Sequence, residues 1–315
     1  MARQLRIEYP DAYYHVTARG NERKEIFKSE KDREKFLSYL ESAVNRYGAV
    51  IHVWCLMSNH YHLLVETPSG NLSQIMQHIN GAYTNYFNTK RKRSGHLFQG
   101  RYKGILVEAD EYALELSRYI HLNPVRIGVV NEPGDYRWSS FQEYTGKRKM
   151  ADWLSTEFIL GYFDKSQSAA QKKYQQFVEE MVGKEHESPL QQMVAATMLG
   201  TPEFVATIQE QHIDGKSPDR NLPALKQLKG KPTIDQILEI TRSVIKEDEK
   251  LVTKVAIYLC HRFSGTKLKE IGDQFGVKES AVSQSSRRFA LELEKDKKLQ
   301  KLVTDLEKQV NLCNV

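Results

Sequence analysis

His60 and His62 flank Tyr61 within an apolar run, Val53-Trp54-Cys55-Leu56-Met57-Ser58-Asn59-His60-Tyr61-His62-Leu63-Leu64-Val65. The run reads as β-structure broken near Ser58-Asn59. Side chains two apart on a strand share a face, so both imidazoles can address one ion. Burying two imidazoles without partners is costly, which favours a shared ligand. The same spacing also admits a pair of surface histidines on an open sheet face. A second group follows in Tyr119-Ile120-His121-Leu122-Asn123-Pro124. Tyr119 and Asn123 are four apart in a helical segment and share its face, while His121 points elsewhere. The bland role for such a tyrosine is core or rim packing. Beside two histidines and an amide oxygen, its hydroxyl suits metal-assisted attack on a phosphodiester. Histidine nitrogen with amide or water oxygen suits Mg²⁺, Mn²⁺ or another divalent ion, whereas a closed zinc site wants a fourth strong ligand. Glu115, one turn before Tyr119, reads as solvated, with proton handling as a second role.

The elements that position these residues follow from periodicity. Residues 12–19 form a strand ended by Gly20-Asn21, and residues 30–47 carry Phe36, Leu37, Leu40 and Val44 at helical spacing. Two strands follow over 50–57 and 60–66, a helix over 71–86, a strand over 102–107, and a helix from about Ala109. Asn123-Pro124 marks the end of that helix, because the residue before proline resists the α region. The order β-α-β-β-α-β-α opens with the ferredoxin-like split βαβ, an antiparallel sheet with helices on one face. The fold class is α+β, followed by an all-α part. We place domains at residues 1–145 and 233–315, with a helical extension and connector over 146–232 that carries Pro189, Pro202, Pro218, Pro223 and Pro232.

Composition sets the outer bounds. The 315 residues suggest two domains, and 40% hydrophobic with 27% charged residues fits a soluble globular protein. A net charge of +6 hints at an anionic partner. No apolar run approaches the ~20 residues that span a bilayer, and the N-terminus lacks the apolar core of a signal peptide. Cys55, Cys260 and Cys313 are odd in number and far apart, which fits a reducing cytoplasm rather than a disulfide framework or zinc site.

Several separated motifs together resemble the single-tyrosine HUH transposases of the insertion-sequence type, and within them the REP-associated tyrosine transposases. They are Tyr14-His15-Val16 with Arg19-Gly20-Asn21, Met57 to Val65, Gly95-His96-Leu97-Phe98-Gln99-Gly100-Arg101-Tyr102, Arg118 to Arg126, and Trp138-Ser139-Ser140. The chain departs from the family pattern at Tyr61, where a hydrophobic residue is usual, and at Ser58, where many relatives carry proline. The resemblance implies a divalent ion held by His60, His62 and Asn123. It also implies attack by Tyr119 on single-stranded DNA, a 5′-phosphotyrosine link, a freed 3′-hydroxyl and rejoining by the reverse step. It further implies hairpin DNA as partner and a homodimer. Within the same class stands a related replication nuclease; the rival class is a domesticated DNA-binding regulator with an idle site.

Basic residues supply candidate DNA contacts: Lys90, Arg91, Lys92 and Arg93, with Arg101 and Lys103 nearby. Each fits a solvated loop nearly as well. Tyr83, Tyr86, Phe87 and Tyr102 can stack on unpaired bases, but such residues more often pack in a core. Residues 268–283 have the layout of a helix-turn-helix. Gly272 lets the helices cross, Gly276 makes the turn, and Ile271, Phe275, Val277 and Val282 fill the centre. Its second helix offers Lys278, Ser280, Ser283, Gln284, Arg287 and Arg288 to a major groove. With the helix over 252–263 it resembles the DNA-binding domain of the bacterial replication initiator, which implies duplex DNA as a second partner.

Overall fold

The computed structural model describes residues 6–184, 188–213, 232–246, 248–264 and 266–312. Cys313, Pro218 and Pro223 lie outside these residues, as does most of the connector over 213–231. The described chain divides into two compact units, the first ending at Ile208.

The first unit opens with β1 (Ala12–Arg19), α1 (Glu30–Tyr47), β2 (Val50–Leu56), β3 (His60–Thr67), α2 (Leu72–Lys90), β4 (Lys103–Val107) and α3 (Ala109–Arg126). The sheet runs in the order β2-β3-β1-β4, every neighbour antiparallel, as the split βαβ requires. Alternation along β3 assigns its two faces. Tyr61 turns one way, with its ring 4.8 Å from Phe36 of α1 and its hydroxyl donating to Asn80 of α2. His62 turns the other way and meets Tyr119 of α3. Thus α1 and α2 cover one face, and α3 covers the opposite face.

Local chemistry sets the helix ends. Ser29 caps α1 by accepting from the Asp32 amide, and Gly48 ends it at φ 64°. Asp110 and Glu111 in the first turn of α3 suit its dipole. Two boundaries differ from the sequence reading. The second helix continues past Tyr86 to Lys90. The helix α3 runs through Pro124 to Arg126 instead of ending before it. A proline near a C-terminus removes one intrahelical bond, and Leu122, Asn123 and Pro124 are all buried, so packing outweighs that loss.

Beyond α3 come the short helices α4 (Phe141–Tyr144) and α5 (Glu157–Leu160), then α6 (Gln167–Glu179). Phe141, Tyr144, Ile159, Tyr174 and Val178 join Leu116 and Ile120 of α3 in one core. Within the stretch that the sequence marks as connector, Met198–Leu199 form β5, parallel to β4. The sheet is therefore mixed, and the otherwise unpaired edge of β4 is covered. The helix α7 (Pro202–His212) follows.

The second unit is wholly helical over its described residues: α8 (Ile234–Val244), α9 (Glu249–Leu259), α10 (Leu268–Phe275), α11 (Glu279–Lys295) and α12 (Lys297–Leu312). Thr233 and Gln236 form a capping box at the start of α8. The pair α10–α11 turns at Gly276, φ 67°. A Cβ on Gly272 would stand 2.5 Å from the Val277 carbonyl oxygen, so only glycine admits this close approach. Ile271 and Val282 are fully buried in the unit's own core, with Phe275 and Val277 packed against it. No described helix is long and apolar enough to cross a membrane.

Candidate active site

The two histidines stand at the start of β3, on the face that α3 covers. Their rings lie 5.0 Å apart, and that of His62 is 6.1 Å from the half-buried Tyr119 ring. All three come from one chain. The amide of Asn59 donates to the Arg23 carbonyl, which leaves its Oδ1 to accept from His60 Nδ1 at 2.6 Å. With the proton fixed on Nδ1, His60 presents the lone pair of Nε2. His62 is held in a similar way: its Nδ1 meets Nε2 of the buried His15 at 2.9 Å, rings stacked 5.2 Å apart. Two proton placements serve that pair, and the one in which His62 donates leaves its Nε2 lone pair outward. It places the His15 proton on Nδ1, a buried atom with no hydrogen-bond partner among the described residues. Burial pushes the pKa of all three imidazoles down. His15 falls to about 4; His62 falls well below its ordinary value, with the charges of His15, His60 and Arg126 adding to burial; His60 is lowered by burial and by Arg19. At neutral pH the imidazoles are therefore uncharged, the form that binds metals.

Asn123 is buried one turn beyond Tyr119, and its Nδ2 donates to the Tyr119 carbonyl at 3.0 Å. That bond leaves Oδ1 as the donor atom for an ion. The set of His60, His62 and Asn123 thus fits a hard or borderline divalent cation by donor chemistry. Among the described residues, no group of three or more His, Cys, Asp or Glu side chains is placed to hold a metal.

The helix α3 is clamped in register from its far side. His121 Nε2 meets Ser140 Oγ at 2.8 Å, and Ser140 Oγ accepts from the Trp54 amide of β2. His121 Nδ1 meets the Tyr174 hydroxyl of α6 at 2.7 Å. Burial lowers the His121 pKa to about 3, so this imidazole is a neutral strut. Glu115 pairs with Arg118, whose guanidinium lies 4.1 Å over Phe177. Arg126 places its guanidinium 4.7 Å over the Tyr119 ring.

His15, Asn59 and Arg126 were not singled out in the sequence as site residues. Arg126 lies seven residues after Tyr119, close to two helical turns, so the spacing that pairs Tyr119 with Asn123 also reaches it. The contacts of His15 cross from β1 to β3 and carry no local signature.

The basic run is partly committed. Lys90 and Arg91 both pair with the buried Asp32 of α1. Arg93 donates to the His96 carbonyl. Lys92, Arg101 and Lys103 are exposed. Tyr83, Phe87 and Tyr102 are buried, and Tyr86 is half-buried. On α11 and the turn before it, Lys278, Ser280, Gln284, Arg287 and Arg288 are exposed and Ser283 is half-buried.

Residues 8–123 match the family model described as Transposase IS200 like. This stretch holds the four antiparallel strands, α1, α2 and most of α3, Asn123 included. No curated protein matches the chain. Among solved structures, the chain is similar to one described as a REP-associated tyrosine transposase bound to a REP hairpin. The identity is 16%, covering 50% of this chain and 93% of that chain, with a TM-score of 0.42. It is also similar to a candidate transposase from Deinococcus radiodurans R1, at 16% identity, 36% and 93% coverage and a TM-score of 0.27.

Proposed function

We propose that this chain is a metal-dependent transposase that cleaves and rejoins single-stranded DNA through a 5′-phosphotyrosine link at Tyr119. The observation that carries the reading is the meeting of the Tyr119 ring with His62 at 6.1 Å, both histidines holding Nδ1 to a protein partner, which leaves Nε2 to bind an ion. His60 Nε2, His62 Nε2 and Asn123 Oδ1 would hold the ion. A bound Mg²⁺ or Mn²⁺ supplies Lewis-acid polarisation of the phosphate and offsets charge in the transition state.

The chain's own residues do the rest. The Tyr119 oxygen bonds to phosphorus as its proton leaves to solvent, the P–O3′ bond breaks, and the 3′-oxygen takes up a proton. Arg126 steadies the tyrosine ring and brings positive charge to where a phosphate must arrive. The DNA keeps the energy of its diester in the tyrosine link, so a 3′-hydroxyl can reverse the step on another strand without a nucleotide cofactor. Hairpin-forming DNA is the substrate that the resemblance implies. The α10–α11 pair serves duplex DNA.

The test uses a DNA hairpin with a single-stranded extension, labelled separately at each end. A denaturing gel should show a protein–DNA adduct that carries the 3′ label, while the 5′ label stays on a free product. Excess chelator and Tyr119→Phe should each remove the adduct. An adduct carrying the 5′ label, or one formed by the Phe variant, would overturn the assignment.

A further inference from the structure

On the α2 face of the sheet, opposite Tyr119, lies a cleft of about 610 Å³ between α2 and the loop over 95–102. Among the described residues no carboxylate lines it, whereas Arg6, His96 and Arg101 do. Its floor is apolar, with Met76, Leu97, Phe98 and Tyr102. Its α2 wall is a stripe of amides and a glycine, Gln77, Asn80, Gly81, Asn85 and Asn88, spaced so as to share one side of the helix.

The polar groups of that wall are only partly used. Asn80 Oδ1 accepts from Tyr61, which leaves its NH₂ group. Asn88 donates to the Gly95 carbonyl, but its Oδ1 is buried with no partner among the described residues. Asn80 thus keeps a donor and Asn88 an acceptor, the two kinds of group that pair with the edge of a nucleobase. The apolar floor, with the Arg6 guanidinium lying 4.0 Å over the Tyr102 ring, offers a surface for the base's face, and Arg6 and Arg101 offer charge to its phosphate. Gly81 opens the centre of the wall: a Cβ there would meet no atom within 4 Å.

The cleft is tied to the active site through the backbone. Gln99 donates to the Arg19 carbonyl and Asn21 donates to the Leu97 carbonyl, both through main-chain amides. Arg19 itself pairs with His60 across β1 and β3. Cleft and histidines therefore share one end of the sheet on opposite faces, and a flexible strand crossing that end reaches both. From this we infer that the cleft binds an unpaired base, with its phosphate, of the same single-stranded DNA whose backbone reaches Tyr119. This inference rests on the reading of the chain as an enzyme of single-stranded DNA.

Two variants of the full chain test it. Gly81→Leu fills the cleft from a helical position with free space, and Gln77→Glu with Asn85→Asp makes its wall anionic at nearly unchanged shape. Thermal melting checks that each remains folded. Affinity is measured for labelled dT12 and for an abasic dodecamer of equal phosphate charge. The intact chain should prefer dT12 by roughly fivefold or more, the scale of one stacked base. Gly81→Leu should erase that preference, and the acidic variant should weaken dT12 binding by a similar factor. The inference falls if the intact chain shows no preference, or if the preference survives in Gly81→Leu. It also falls if dTMP competes as well as dT12 per nucleotide, which would make the cleft a site for free nucleotides. The adduct assay separates the two levels. An adduct with an unaltered base preference in Gly81→Leu rejects the cleft and keeps the transposase reading. A lost preference without any adduct from the intact chain does the reverse.

Discussion

At the scale of residues, the site depends on where protons sit. Asn59 fixes the His60 proton on Nδ1, so Asn59→Ala releases the imidazole to either tautomer. Loss of such an outer partner typically weakens metal binding about 10-fold or more. The Mn²⁺ concentration that half-saturates adduct formation should rise by about that factor, and an unchanged value would refute the role. The buried imidazoles also set a pH dependence. The folded pKa of His121 is about 3 and that of His15 about 4, both below the ordinary 6.5. Between these limits the unfolded chain binds more protons, so stability is full above about pH 6.5 and falls as pH drops toward 4. The slope is up to about 1.4 kcal/mol per pH unit for each histidine. In chelator, the melting temperature should decline steadily from pH 6.5 to 4.5, and a flat profile would contradict it. Spacing alone made the pairing of His60 with His62, and of Tyr119 with Asn123, legible, because both are local periodicities. His15 was not, because its contact with His62 depends on a register between strands far apart in sequence. The commitment of Lys90 and Arg91 to Asp32 was hidden for the same reason.

At the scale of elements, periodicity read the four antiparallel strands and the first three helices to within a few residues. It failed where tertiary packing overrode a local rule. Pro124 stays helical because its neighbours are buried against α4 and α6, and β5 exists because the edge of β4 offers unpaired backbone. The two helical glycines Gly81 and Gly272 show the same override in opposite senses. Gly→Ala in an open helix gains up to about 1 kcal/mol from propensity. At Gly272 the added Cβ would sit 2.5 Å from a backbone oxygen, and such overpacking costs about 1–3 kcal/mol. The clash wins, so Gly272→Ala should destabilise the second unit in urea melts while adduct formation at Tyr119 persists. A gain in stability would show that α10 and α11 do not cross as closely as described.

At the scale of the whole molecule, each of the two units has its own core. The sequence marked the second as helical through the helix-turn-helix layout over 268–283, with its glycine turn at Gly276. It could not reveal how residues 146–208 contribute, because α6 and β5 become intelligible only against α3 and β4. If the second unit serves duplex DNA, reversing Arg287 and Arg288 to Glu should weaken duplex binding. It should also lower the slope of log affinity against log salt by about two, near one per lost phosphate contact. Unchanged duplex affinity would leave α11 a purely structural helix. The central claim concerns one atom, the Tyr119 hydroxyl oxygen. After reaction with single-stranded hairpin DNA, nuclease trimming and trypsin digestion, mass spectrometry can locate the nucleotide remnant. Cleavage after Arg118 and Arg126 releases a peptide in which Tyr119 is the only tyrosine. The nucleotide mass is expected on that peptide; the same mass on any other peptide, with this one unmodified, would contradict attack by Tyr119.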